Sequence, residues 1–177
     1  MKYLPLFLFL FCLGGCKRES TVSTNFDQID VTIFNGWTDV YSIKVINTGK
    51  TYVFNEKYKK GKTYYTMTLG KNELDSLSKM TDIIFKTQID TLYTSRCVDC
   101  GAFNLIIKSK DQLFKSSVNG IGTYSQEFDK MNSLVFYLYQ IAEKSKNMLD
   151  SVFVFESRIK GFYPPPAPPQ IDETDSK

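Results

Sequence analysis

The chain has 177 residues, with 22 Lys+Arg against 19 Asp+Glu for a formal net charge of +3, four Cys and no His. The absence of histidine excludes every His-dependent triad, the HExxH zinc site and the HxE deaminase motif, and removes the commonest general base and metal ligand. A charge so small and dispersed is not the clustered basic face of a nucleic-acid-binding protein, so no nucleic-acid partner is expected.

At the N-terminus, Lys2 precedes the apolar run Leu4 to Leu13, which ends at Gly14 and Gly15. The run is shorter than the roughly 20 residues needed to span a bilayer, and a positive start followed by a short apolar stretch and small residues makes a secretory signal peptide. Leu13-Gly14-Gly15-Cys16 resembles the bacterial lipobox, in which the Cys is acylated and becomes the first mature residue. The resemblance implies a signal peptide over residues 1–15, lipidation at Cys16 and a membrane partner reached through that lipid. The alternatives are an ordinary signal peptide, with Cys16 there by chance, or an uncleaved anchor. Each buried acyl methylene contributes about 0.8 kcal/mol, so two or more chains would hold the protein on a membrane essentially permanently. Lys17 follows Cys16 where an Asp would favour the inner membrane of an enteric-type envelope, which directs the expectation to the outer membrane.

Residues 16–26 lack apolar periodicity and read as a tether. Residues 27–162 then suffice for one domain with one core. Its first half alternates with period two, the mark of half-buried antiparallel strands. Ile29, Val31 and Ile33 share one face, and Tyr41, Ile43 and Val45 share the next. Asn47-Thr48-Gly49-Lys50 turns the chain into a strand with Tyr52, Phe54 and Tyr58 on one side. The run Lys57, Lys59, Lys60 and Lys62 around Gly61 reads as a solvated turn, leading to a strand with Tyr65, Met67 and Leu69 on one face.

The period then changes. Leu74, Leu77, Met80/Thr81 and Ile84 fall at helical spacing, with Asn72 expected as N-cap and Glu73 and Asp75 in the first turn. Two strands follow, one with Phe103, Leu105 and Ile107, the next from Gln112 to Val118. Thr123-Tyr124-Ser125-Gln126 has capping-box spacing for a long helix whose stripe is Phe128, Met131, Leu134/Val135, Leu138 and Ile141/Ala142. Ser151 to Glu156 is β-branched enough for a last strand. The expected fold is α+β, an antiparallel sheet with helices packed on one face. Residues 163–177, with Pro164-Pro165-Pro166-Ala167-Pro168-Pro169 and then Asp172, Glu173 and Asp175, read as an extended, then disordered, acidic tail.

Phe34-Asn35-Gly36-Trp37-Thr38-Asp39-Val40-Tyr41-Ser42, followed by an alternating strand and a Gly turn, resembles the opening of an uncharacterised domain family of bacterial envelope proteins. In that family a Cys-Phe-Gly-x-Cys-Pro segment leads into a strand of a meander followed by a helix and further strands. Phe34, Thr38 and Asp39 stand here in place of its two Cys and its Pro. The family has no assigned activity, so the resemblance implies an element order over Phe26 to Leu149 and no catalytic residue.

Cys97-Val98-Asp99-Cys100 is the one constellation with a chemical signature. In an oxidising compartment it reads as a structural disulfide closing a tight loop; the functional alternative is a thiol–disulfide exchange site, and an unpaired or metal-bound state is a third. A closed zinc site lacks the further Cys or His ligands it needs, so no metal and no cofactor are expected. Gly120-Ile121-Gly122 reads as a strand-to-helix turn rather than a phosphate loop, because Ser125 takes the third Gly position and no βαβ unit follows. Asp30, Asp39, Glu56, Asp75, Asp82, Asp90 and Asp99 have no spacing that singles out a hydrolytic pair, and each reads as a turn, cap or solvated-face residue. Aromatic residues make up 15% of the chain. Trp37, Tyr64, Tyr93 and Tyr163 are the ones hardest to place inside, which makes Trp37, Tyr64 and Tyr93 a candidate binding surface for another envelope protein or a glycan. The alternative is that they pack at domain edges.

Overall fold

The computed structural model describes residues 23–35, 39–57, 61–94, 101–120, 125–145 and 147–160. Alternation along the first half produces the four expected consecutive antiparallel strands: β1 (Gln28–Asn35), β2 (Asp39–Ile46), β3 (Lys50–Lys57) and β4 (Gly61–Thr68). Gly49 makes the β2–β3 turn with φ 86°, where a Cβ would lie 2.9 Å from the carbonyl oxygen of Leu69. The left-handed backbone and the close approach both require glycine there.

α1 (Lys71–Lys86) begins two residues earlier than Asn72 as N-cap would place it. Its N-cap is Gly70, whose N–H donates to the Glu73 carboxylate at 2.9 Å. Leu74, Leu77, Thr81 and Ile84 are its buried stripe. β6 (Ala102–Lys108) and β7 (Leu113–Asn119) pair antiparallel, and β6 inserts beside β1. The short β5 (Leu92–Thr94), absent from the expectation, pairs parallel with β7. α2 (Gln126–Glu143) starts at Ser125, whose hydroxyl accepts from Phe128 N–H, and all of its expected stripe is buried.

The result is one eight-stranded sheet in the order β5-β7-β6-β1-β2-β3-β4-β8. α1 and α2 cover one face. Ile29, Val31, Ile43, Val45, Val53, Phe103, Leu105 and Ile107 meet Leu77, Phe128, Met131, Leu134 and Leu138 there. Burying each such side chain contributes about 1.5–3 kcal/mol, so this layer holds most of the stability. Phe26 belongs to the same core at 1% exposure. Asn25 donates to Ser78 O and accepts from the Thr81 hydroxyl. The folded unit therefore takes in two residues that the sequence assigned to the tether.

The C-terminal part differs most from expectation. Ser151 to Glu156 does not form a strand. β8 is instead Asn147–Leu149, paired with β4, and Glu156 opens a short helix, α3 (Glu156–Lys160). Residues 151–160 cross the sheet on the face opposite α1 and α2, with α3 against β1 and β6. The expectation of helices on one face thus holds for α1 and α2 and fails for α3. The physical reason lies in the pattern of the strands. Asp30, Thr32, Ser42 and Phe54 point away from the main core, yet each has 0% exposure, because the C-terminal segment covers them.

Candidate functional site

The second face of the sheet carries a buried polar cluster. Asp30 on β1 accepts from the backbone N–H of Glu156 at 2.8 Å and from the Ser157 hydroxyl at 2.5 Å, and its carboxylate lies 3.6 Å from Lys44 Nζ on β2. Thr32 Oγ1 lies 2.8 Å from both Ser42 Oγ and Ser157 Oγ. Burial pushes the Asp30 carboxyl above its ordinary range, against the opposing pull of Ser157, Glu156 and Lys44. Around this centre, Lys44 donates to Val154 O, Lys108 pairs with Glu156, and Arg158 Nη2 bonds Glu56 Oε2 at 2.8 Å with its guanidinium 4.3 Å from the Phe54 ring. Phe153 stacks on Tyr52 with centroids 4.2 Å apart.

Chemically the cluster is a fastening. Ser157 has a carboxylate beside it, as an activated nucleophile would, but its 0% exposure leaves no approach for a substrate. The reading of Asp30 as a solvated-face residue is corrected by this burial. Alternation marked the position as polar, and polarity in a strand reports the absence of apolar packing, which a covering segment satisfies as well as water does.

A second polar cluster lies on the helix side. Tyr41 meets Tyr139 edge-on at 5.1 Å, Tyr139 donates to Glu143 at 2.9 Å, and Lys57 Nζ sits 5.9 Å from the Tyr41 ring. Burial, then the Glu143 carboxylate, raises the Tyr139 phenol further above its ordinary value, so it stays protonated and can donate but not act as a base.

Of the residues singled out in the sequence, Cys16, Trp37, Cys97 and Cys100 lie outside the described residues, as do Tyr58, Asp99, Tyr163 and the proline run. Tyr93 is corrected from surface to core. It is 7% exposed, packs edge-on against Phe128 at 5.1 Å, and its hydroxyl accepts from Asp90 N–H. Tyr64 is half-buried on the second face, 5.0 Å from Phe54. Asp75 and Asp82 make i,i+4 ion pairs with Lys71 and Lys86. Among the described residues no three Cys, Asp or Glu side chains come together to hold a metal ion.

The register nevertheless collects several chain segments at one place. Asn35 pairs with Asp39, Lys57 with Gly61, and Asn119 with both Ala102 and Thr94. The described residues flanking 36–38, 58–60, 95–100 and 121–124 therefore all lie at one end of the sheet. Asp27, bonded to Lys108 O and Asn47 N–H, marks the opposite end, where the chain enters. No protein-family model matches the chain, and no curated protein matches it.

Proposed function

We propose that the protein is a membrane-anchored envelope lipoprotein, held at the outer membrane through a lipid on Cys16, whose α+β domain binds or organises another envelope component without catalysis. The observation that carries the reading is Lys2, a short apolar run and Leu13-Gly14-Gly15-Cys16, in that order. The structure supports the domain part of it. Asp27 lies at one end of the sheet, and the described strand ends that flank residues 36–38 and 95–100 lie at the other. The clustered hydroxyl and carboxylate groups of Ser157, Thr32 and Asp30 are sealed inside. Thiol–disulfide exchange at Cys97 and Cys100 gains no support. The flanking described elements are the ends of β5 and β6, and neither is a helix N-terminus able to stabilise a thiolate.

The test is Cys16→Ala expressed beside the natural chain, followed by fractionation and an alkaline wash. Release of the variant into the soluble fraction, with the natural chain retained, is expected. Equal retention of both refutes the anchor.

A further inference from the structure

We infer that residues 151–160 form a latch that opens from the second face of the sheet as one unit while the sheet, α1 and α2 stay folded, and that Asp30 is the group that holds it shut. This inference is independent of the envelope reading.

The carrying observation is that the sheet residues gripped by the segment have partners of their own. Asp30 keeps Lys44, Thr32 keeps Ser42, Glu56 keeps Lys62 at 3.5 Å, Phe54 keeps Tyr64, and Tyr52 keeps Lys50, whose Nζ lies 5.3 Å from its ring. Opening therefore strands no polar group of the sheet in a dry place, which is the usual reason a packed segment cannot leave alone. On the latch side, the freed Glu156 N–H, Ser157 hydroxyl and Arg158 guanidinium pass directly to water.

The attachment itself is suited to release. Ser151 to Phe155 joins the sheet by side-chain contacts and the Lys44 bond to Val154 O instead of by a ladder. Val152 and Val154 face outward with 77% and 62% exposure, so the segment buries only alternate side chains. Segments with few buried apolar contacts sit at the low end of the range of local opening free energies. At the closed end, Asp30 accepts the first N–H of α3 and the hydroxyl of its second residue, doing from β1 what an N-cap side chain does within a helix. A five-residue helix has no stability of its own, so without Asp30 the turn and its docking weaken together. Opening uncovers Phe54, Thr32 and Ser42, an apolar ring beside a hydroxyl pair.

Native-state hydrogen exchange on the full chain in low urea tests this. The Glu156 and Arg158 amides are expected to exchange at least about tenfold faster than those of Val31, Ile43 and Leu105, at rates that hardly change with urea below the unfolding transition. Asp30→Ala should speed the latch amides about thirtyfold or more and leave the relative order of the sheet amides intact, and Ser157→Ala should do the same more weakly. Latch and sheet amides that follow one urea-dependent line in the natural chain would overturn the inference. So would an Asp30→Ala protein whose latch amides exchange no faster than those of the natural chain, or one that fails to fold.

Discussion

Replacing Asp30 separates the value of its acceptor geometry from the value of its charge. Asp30→Ala deletes two charge-assisted hydrogen bonds, to Glu156 N–H and to the Ser157 hydroxyl, each worth about 1.5–3 kcal/mol. Three facts reduce that sum. Ser157 retains Thr32 at 2.8 Å, Lys44 retains Val154 O, and removing a carboxylate whose burial already raises its pKa also removes a desolvation cost. The loss is further capped by the free energy of closing residues 151–160, because beyond that point the segment detaches. We expect about 2–3 kcal/mol for Asp30→Ala. Asp30→Asn keeps the shape and one acceptor oxygen and removes the charge that burial disfavours, so about 1 kcal/mol is expected. Urea unfolding followed by circular dichroism measures both, with m unchanged for Asn. An Asn variant as unstable as the Ala variant would refute the reasoning, since the charge would then matter more than the geometry.

Three further outcomes follow from the same structure. Burial raises the Asp30 carboxyl above the ordinary carboxylate value, so the native state takes up its proton more readily than the unfolded chain does. Its contribution to stability is complete below the ordinary carboxylate value and declines as pH rises to the raised one; unfolding midpoints measured across that window should show the decline in the natural chain and lack it in Asp30→Asn. Gly49→Ala places a Cβ 2.9 Å from Leu69 O at φ 86°, whereas Gly61→Ala at φ 84° meets nothing within 4 Å. Gly61→Ala should cost about 1–2 kcal/mol from left-handed strain and Gly49→Ala clearly more, as read by thermal unfolding. Phe128→Ala should cost about 3–5 kcal/mol and Tyr93→Phe about 1, because the first removes a fully buried ring and the second keeps the ring and removes the hydroxyl that accepts from Asp90 N–H. Equal costs for these two would contradict the placement of Tyr93 edge-on against Phe128.

The main layer was legible because periodicity reports which positions face a core. β1 to β4, α1 and α2 have enough turns or alternations for that signal to be clear, and Leu74, Leu77, Phe128 and Leu138 are buried as their spacing requires. β5 and β8 have three residues each, too few to establish a period. The segment from Ser151 to Phe155 shows why alternation is ambiguous. Phe153 and Phe155 face the sheet and Val152 and Val154 face water, the same pattern a half-buried strand would give, although the segment lies on top of the sheet rather than within it. The second face was hidden for the related reason that Asp30, Thr32 and Ser42 are polar, and only the chain more than a hundred residues later removes them from solvent. Tyr93 differs from its surface reading because a phenol hydroxyl suggests solvent, whereas here it accepts from the backbone N–H of Asp90 inside the core.

The anchor at Cys16 is tested most directly by mass spectrometry of the N-terminal peptide of protein extracted from membranes. The account predicts a peptide that begins at Cys16 and carries the added mass of acyl chains. A peptide that begins at Met1, or an unmodified Cys16, would contradict it.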